Sequence, residues 1–276
     1  MKMRSQPGKN VGKKQDEYPH LAEKVLDMSD IILEVLDSRF IQETRNVDLE
    51  KKIFEKNKKI IYVFNKADLI DSKLAKEKEI WEMNPKIFVS CAKRTGIKDL
   101  RDKIKALAGA VKNRKDKELG RVVVGVIGYP NTGKSSLINV LIGKKTAGTG
   151  ADAGFTKGIQ KVRLTANIVL LDSPGVIPKM DYTNIEGKKK SKQTKLGGRS
   201  YSQVRFPETV VSDLMKEYPG IIERFYGIDA QGDAEQLIEV LGKKRGFLKK
   251  GSLVEDDRTA RVILKDWQEG KIKISG

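Results

Sequence analysis

Short apolar runs alternate along the chain with segments whose apolar residues recur at helical spacing. The apolar runs predict β-strands over residues 30–36, 59–64, 86–89, 121–127, 160–164 and 168–171. The segments between them predict helices over 47–57, 72–83, 97–111 and 134–142. Because strands alternate with helices, we expect an α/β fold with a mainly parallel sheet that is covered on both faces.

Beyond Phe206 the pattern changes, and apolar residues recur only at helical spacing. Val211 and Leu214, Leu237 and Leu241 are examples, and they predict a small all-helical C-terminal domain. The segment before it is polar and rich in lysine, as a surface connection would be. The expected organisation is a basic N-terminal extension (1–20), an α/β domain (21–178), a basic flexible linker (179–205) and the helical domain (206–276).

The charge of the chain indicates a polyanionic partner. Its 55 Lys and Arg residues against 37 Asp and Glu residues give a formal net charge of +18. Nucleic acid is the partner that such a charge favours, and a lysine-rich solubilising surface is the alternative.

Cysteine content and hydropathy narrow the class of protein further. Cys91 is the only cysteine, which excludes an intramolecular disulfide framework and a cysteine-based zinc site. No apolar run has the length of a membrane-spanning helix, and the basic N-terminus has no apolar core of a secretory signal. We therefore expect a cytoplasmic protein that does not bind membranes.

A glycine-rich segment follows the strand predicted over 121–127 and opens the next helix. Its sequence, Gly128-Tyr-Pro-Asn-Thr-Gly133-Lys134-Ser135, has the spacing of a phosphate-binding loop. Backbone N–H groups in such a loop point at phosphate oxygens, beside the positive end of a helix. Lys134 is expected to contact the β- and γ-phosphates and Ser135 to bind Mg²⁺. The loop residues expected to bind nucleotide are Asn131, Thr132, Gly133, Lys134, Ser135 and Ser136.

The segment Asp172-Ser-Pro-Gly175 follows the last predicted strand and suits the magnesium side of the site. Asp172 would hold the metal through water, and the Gly175 amide would contact the γ-phosphate and move when that phosphate is lost. Thr156 is the preferred second magnesium ligand, with Thr146 and Thr149 as alternatives. The residues expected to take part in catalysis are Lys134, Thr156 and Gly175.

Two further segments predict recognition of guanine. Asn65-Lys66-Ala67-Asp68 follows the strand over 59–64, and Ser90-Cys91-Ala92-Lys93 follows the next strand. The Asp68 carboxylate can accept hydrogen bonds from guanine N1 and its 2-amino group, which adenine does not offer in that geometry. The Ala92 backbone amide would donate to the guanine oxygen. GTP and GDP are thus the expected ligands, held by Asn65, Lys66, Asp68, Ser90, Cys91, Ala92 and Lys93.

The order of these segments is unusual. In an ordinary GTPase domain the phosphate loop comes first and the guanine-reading segment comes late. Here the guanine-reading segments come first, the phosphate loop follows and the Asp172 segment comes last. The sequence therefore predicts a circularly permuted P-loop GTPase domain.

This order resembles that of the permuted ribosome-assembly GTPases, most closely those of the YlqF/RbgA type. Asp37-Ser38-Arg39 is similar to that family's Asp-Ala-Arg signature, and Asn46 stands where relatives carry Arg-Asn. The C-terminal region also resembles the family's helical domain, and the resemblance thus covers nearly the whole chain. The C-terminal residues that carry it are Lys244-Arg245-Gly246, Arg258 and Lys265-Asp266-Trp267-Gln-Glu-Gly270-Lys271.

The resemblance implies magnesium-dependent GTP hydrolysis that is coupled to late maturation of the large ribosomal subunit. A precursor of that subunit and its rRNA are the implied partners, and nothing in the sequence requires more than a monomer. Small-subunit relatives often carry zinc-type cysteines in an extra domain, and their absence here favours the large subunit.

The group that would orient the attacking water is open. Val176 stands where a small GTPase places a glutamine, so the group must come from elsewhere. Asn131 is a candidate ligand for K⁺, which would spread transition-state charge, or a brace for the loop. His20 in Tyr18-Pro19-His20-Leu21 resembles a family histidine proposed to position water, and an N-terminal histidine without a catalytic role is the alternative.

Connectivity predicts how a nucleotide signal would leave the domain. The chain passes from Gly175 directly into the basic linker and the helical domain, so a shift at Gly175 can re-aim an RNA-binding surface. Two other functions are compatible with the motifs: a GTP-gated RNA-binding scaffold with negligible turnover, and a GTPase of tRNA metabolism. The linker residues expected to contact RNA phosphates are Lys188, Lys189, Lys190, Lys192, Lys195 and Arg199.

Overall fold

A computed structural model describes residues 17–70, 80, 82–112, 121–143, 159–173, 194–196 and 200–274, with only the backbone at 17–20 and 112. Its sheet has six strands in the order β3-β2-β1-β4-β6-β5, and only the β5–β6 pair is antiparallel. The predicted mainly parallel α/β sheet is confirmed. The strands are β1 Ile31–Asp37, β2 Lys59–Asn65, β3 Lys86–Phe88, β4 Val122–Ile127, β5 Gln160–Thr165 and β6 Ile168–Asp172.

Helices cover both faces of this sheet. Alternate residues of β1 point to opposite faces, so Leu33 packs with α4 and α5 while Ile32 packs with α1 and α3. The helix predicted over 72–83 falls almost entirely outside the described residues. The helices of this part of the chain are α1 Glu17–Met28, α2 Ile41–Thr44, α3 Val47–Glu55, α4 Ile97–Lys112 and α5 Lys134–Ile142.

The C-terminal residues form a helical unit whose apolar core also includes Phe40 and Tyr129 of the α/β part. Leu214, Leu237 and Ile263 pack together there, which confirms the predicted C-terminal helical region. None of the helices in the described ranges is long and apolar enough to cross a membrane. The C-terminal helices are α6 Pro207–Glu217, α7 Ile221–Tyr226, α8 Ala234–Arg245 and α9 Asp256–Gln268.

Two features differ from the expected organisation. Helix α1 begins at Glu17, inside the segment predicted to be an extension. The described end of the predicted linker is also packed, because Leu196 and Val204 belong to the C-terminal helical core. Lys195, expected to contact RNA phosphates, is buried instead: its Nζ donates to Glu217 Oε1 at 2.7 Å and lies 5.3 Å from the centre of the Phe40 ring.

The sheet topology fixes where a ligand can bind. The chain runs outward from β1 to β2 and β3 on one side, and β4 lies on the other side of β1. Loops from neighbouring parallel strands therefore diverge at the carboxyl ends of β1 and β4, which is where ligands bind in open α/β sheets. The predicted nucleotide segments all follow strands that end at this edge.

Candidate nucleotide-binding site

The phosphate loop lies between the end of β4 and the start of α5. Its backbone uses positive φ angles at Gly128 (149°), Asn131 (59°) and Gly133 (95°). A Cβ at Gly128 would collide with the Val35 carbonyl oxygen, and one at Gly133 would collide with Asn65 Nδ2. Glycine at both positions is therefore required by the close approach of neighbouring segments as well as by φ.

Lys134 is buried at the first position of α5. Its Nζ donates to the carbonyl oxygens of Tyr129 at 2.8 Å and Gly128 at 3.1 Å. Burial lowers the pKa of Lys134 to about 8, and the nearby charge of Asp172 opposes this shift. Within the described part of the chain this cation is held by loop carbonyls, which it can exchange for phosphate oxygens that offer a full negative charge.

The end of β6 brings Asp172 against the first turn of α5. The Ser135 hydroxyl donates to Asp172 Oδ2 at 2.9 Å, although the two residues are far apart in sequence. Burial raises the pKa of Asp172, and the bond from Ser135 partly offsets the shift. Asp172 Oδ1 is buried and accepts no hydrogen bond from the described residues. A buried carboxylate oxygen without a donor beside a serine hydroxyl is a suitable arrangement for a divalent cation.

Asn65 joins the guanine-reading segment to the phosphate loop. It lies at the buried end of β2, and its Nδ2 donates to the Thr132 carbonyl oxygen at 2.8 Å. Its Oδ1 accepts the Cys91 backbone N–H at 3.3 Å. One amide side chain therefore holds three segments together that the sequence places far apart.

The remaining guanine-site residues surround this amide. Asp68 lies in a 3-10 turn, Ala67–Leu69, that follows Lys66. The Lys93 backbone N–H donates to the buried Ser90 hydroxyl at 2.9 Å, which fixes the second loop. Burial raises the pKa of the Cys91 thiol to about 11, so it stays protonated near neutral pH. Ala92 and Lys93 are exposed in that loop, and Ser136 is partly exposed in the first turn of α5.

The structure does not describe the side chains of three predicted site residues. Thr156 and Gly175 lie outside the described residues, as do the alternative ligands Thr146 and Thr149. His20 falls in the first turns of α1, where only the backbone is described. Their predicted roles therefore stay predictions.

Sequence reasoning missed the partner of Lys66. Lys66 adopts φ 61°, and its Nζ donates to Asp37 Oδ2 at 2.8 Å. Although burial alone raises the pKa of Asp37, the charges of Lys66 and Arg39 hold it well below its usual range. The sequence held one signal for this contact, since β1 and β2 both end at polar residues. The two strands are adjacent in the sheet, and their register pairs Asp37 with Asn65.

The chain is similar to known GTP-binding proteins. A family model described as a 50S ribosome-binding GTPase matches residues 123–240. The chain is 41% identical over 257 residues to an uncharacterized GTP-binding protein of Methanocaldococcus jannaschii, covering 91% of this chain and 65% of that protein. It is 33% identical over 262 residues to nucleolar GTP-binding protein 2 of Saccharomyces cerevisiae, covering 90% of this chain and 51% of that protein.

A solved structure shows the same fold. The crystal structure of GNP-bound YlqF from T. maritima superposes with a TM-score of 0.63 at 24% sequence identity, covering 94% of this chain and 96% of YlqF. The chain spans 65% of the length of the Methanocaldococcus jannaschii protein and 51% of the length of the Saccharomyces cerevisiae protein.

Proposed function

Because this chain has the circularly permuted GTPase fold of the YlqF type, we propose that it is a slow, magnesium-dependent GTPase of ribosome assembly. In its GTP form it binds a precursor of the large ribosomal subunit, and after hydrolysis to GDP and phosphate it leaves. It acts as a monomer in the cytoplasm.

The observation that carries the proposal is the bond between Asn65 and the Thr132 carbonyl oxygen. It joins the segment that reads the base to the loop that cradles the phosphates, at 2.8 Å and in a buried position. Each segment alone is a short motif that occurs by chance. Their contact at the carboxyl end of one sheet gives a site that can hold the two ends of one guanine nucleotide.

The proposed magnesium site rests on Ser135 and Asp172. The Ser135 hydroxyl would bind Mg²⁺ directly, and Asp172 would hold it through water. When bound, the metal neutralises charge that develops on the β- and γ-phosphates. Lys134 would turn its Nζ from the loop carbonyls to the same phosphates and add a second positive charge to the site.

We propose that a residue other than Val176 orients the attacking water. Val176 has no hydrogen-bonding group on its side chain, so it cannot align the attacking water. Asn131 lies in the loop with a positive φ angle and is proposed to bind K⁺ beside the phosphates. Thr156, Gly175 and His20 are the other residues proposed to act in the catalytic step.

The proposed RNA contact includes a basic surface on the helical domain, which we call the C-terminal basic surface. It is formed by exposed cationic residues at the end of α8 and in the turn that leads toward α9. The exposed Leu248 lies within the same turn. Clustered cations of this kind neutralise phosphates and make RNA binding dependent on salt. The surface comprises Lys243, Lys244, Arg245, Lys249 and Lys250.

The test of hydrolysis is a single-turnover assay with [γ-³²P]GTP, with and without purified large and small ribosomal subunits. We expect slow hydrolysis alone and acceleration by the large-subunit precursor. No acceleration by any subunit would contradict the proposal and favour a GTP-gated scaffold with negligible turnover.

The test of the partner is crosslinking to RNA in the presence of a non-hydrolysable GTP analogue. We expect large-subunit rRNA, and recovery of tRNA instead would favour a role in tRNA metabolism. The double variant Lys249→Glu, Lys250→Glu should reduce RNA affinity and its salt dependence. The matched control is Lys98→Glu, Lys105→Glu, which reverses two exposed charges on α4.

A further inference from the structure

A buried chain of charged groups connects the guanine-reading segment to the end of α9. Lys66 Nζ donates to Asp37 Oδ2 at 2.8 Å. Arg39 then grips both oxygens of Asp37, with Nε 3.0 Å from Oδ1 and Nη2 2.8 Å from Oδ2. The remaining arm of Arg39 donates from Nη1 to the Trp267 carbonyl oxygen at 3.0 Å.

This chain is isolated from solvent at its centre. The side chains of Asp37 and Arg39 are 1% and 2% exposed. Screening by water and salt is therefore weak there, and each charge depends on its partner. The Asp37 carboxylate stays ionised because Lys66 and Arg39 hold its pKa well below the usual range. Displacement of one member leaves the next with an unmatched buried charge.

A close apolar contact accompanies the charged chain. Gly270, just beyond α9, has φ 74°, and a Cβ there would collide with the Leu69 side chain. Leu69 directly follows Asp68, the residue expected to bind the guanine base. The end of α9 thus contacts the turn that carries Asp68, so movement of either segment changes this contact.

The same end of α9 also binds residues 194–195. The Trp267 indole N–H donates to the Lys195 carbonyl oxygen at 3.3 Å, and Gln268 Nε2 donates to that of Thr194 at 2.7 Å. Residues 194–195 follow the Asp172 segment in the sequence. The base-side charged chain and residues 194–195 therefore meet at Trp267 and Gln268.

We propose that Asp37 and Arg39 are positioning residues that make the docking of α9 on the GTPase domain depend on bound guanine nucleotide. Asp37 fixes Lys66 beside the base site. Because Arg39 binds both Asp37 and the Trp267 carbonyl, a shift of the Lys66–Asp37 pair changes the position of α9. By thermodynamic reciprocity, a change in α9 docking also changes nucleotide affinity. This inference rests on the guanine-nucleotide binding in the proposed function, but neither on hydrolysis nor on the ribosomal partner.

Trp267 supplies a direct readout. The centre of its ring lies 5.1 Å from the centre of the Tyr218 ring and 6.3 Å from that of the Phe40 ring. A shift of α9 therefore changes the surroundings of Trp267. The chain has two tryptophans, and Trp81→Phe leaves Trp267 as the only one. In that parent we would measure Trp267 emission during titration with GDP or a non-hydrolysable GTP analogue, with ADP as the negative control. A fluorescent GDP analogue reports binding independently.

The decisive variant is Arg39→Gln in this parent. We expect the nucleotide-induced change in Trp267 emission to fall at least about fivefold. GDP affinity should fall about 5- to 20-fold, which lies within the range of ordinary coupling between sites. Arg39→Lys keeps the charge but not the three-way fork, and should retain near-parent affinity with a reduced emission change. Arg224→Gln is the matched control, since Arg224 Nε also donates to a backbone carbonyl, that of Gly220, away from this contact.

Each outcome decides the proposal. An Arg39→Gln protein with the parent's emission change and GDP affinity overturns it, as does a parent that binds the GDP analogue with no change in Trp267 emission. If Arg39→Gln does not fold, the emission change of Arg39→Lys decides in the same way. Failure of the parent to bind the GDP analogue would overturn the proposed function itself, and the inference with it.

Discussion

Both ends of the nucleotide site contact the helical domain, but within the described residues only the base end adds a buried charged chain to its apolar contacts. At the phosphate end the buried Tyr129 belongs to the same apolar core as the C-terminal helices. At the base end Lys66, Asp37 and Arg39 reach the Trp267 carbonyl through directional hydrogen bonds. Apolar burial is non-directional, whereas each hydrogen bond of the charged chain requires a particular distance and angle. We therefore expect the base end to specify how the helical domain docks.

Loss of the phosphate-end cation should have the largest effect, and it should be independent of the base. Lys134→Ala removes the positive charge that is buried within the loop. We expect affinity for GTP to fall by about 100-fold or more, as for a lost charge-assisted contact. Equilibrium titration with a fluorescent GTP analogue measures this, with the exposed Lys161→Ala as the control. Micromolar affinity in Lys134→Ala would contradict the assignment of the loop.

A change at the base end should alter selectivity rather than binding in general. Asp68→Asn replaces a carboxylate by an amide, which pairs better with xanthine than with guanine. We expect GTP affinity to fall about 10- to 100-fold while xanthosine triphosphate gains, because the wrong base leaves polar groups unpaired. Competition between the two nucleotides checks this. Unchanged selectivity would show that Asp68 does not contact the base.

The junction between the two ends can be broken separately. Asn65→Ala removes the bonds to the Thr132 carbonyl and the Cys91 amide. We expect about tenfold weaker binding of GTP and of xanthosine triphosphate alike, since each lost bond contributes about 0.5–1.5 kcal/mol. Isothermal titration with both nucleotides measures the loss. A loss confined to one base would place Asn65 at the base end alone.

A buried carboxylate in β1 allows the stability of the fold to be changed without altering the link to α9. Glu34 Oε1 accepts the Asn46 backbone N–H at 2.9 Å. Burial, and then the negative charge of Glu50, raise the pKa of Glu34 well above its usual range. The folded state therefore keeps this proton at a pH where the unfolded chain loses it. The stability that Glu34 contributes is full below its unfolded pKa and is lost as pH rises toward and through the folded pKa.

Glu34→Gln should remove this pH dependence. We expect little change in Tm at pH 4 and a Tm higher by about 2 to 4 °C at pH 8, the shift that 1 kcal/mol gives in a chain of this size. Thermal melts followed by circular dichroism measure it, with the exposed Glu55→Gln as the control. Nucleotide affinity should stay the same, so a large loss would mean that the base end depends on this network too. An equal Tm change at both pH values would show that Glu34 does not bind a proton on folding.

Most strands and helices were predictable because their patterns are local. The buried β1 and the amphipathic α4 carry their periodicity in consecutive residues, and observed bounds differ from predicted ones by only a few positions. The phosphate loop was equally visible, since its glycines satisfy backbone requirements within one segment. The packing at the end of the linker was not predictable. Lysine is usually a surface residue, but Lys195 is covered by Phe40 and Tyr218.

The sequence by itself determined the permuted order of the motifs, the parallel sheet and the residue types that a guanine nucleotide requires. These depend on covalent order and on side-chain periodicity. Only the tertiary structure decided that Arg39 reaches the Trp267 carbonyl, that Leu69 meets Gly270 and that Asp37 holds Lys66. Such contacts join residues far apart in the chain, and no local pattern records them. The base-reading turn thus contacts the helical domain through residues that no sequence motif connects to it.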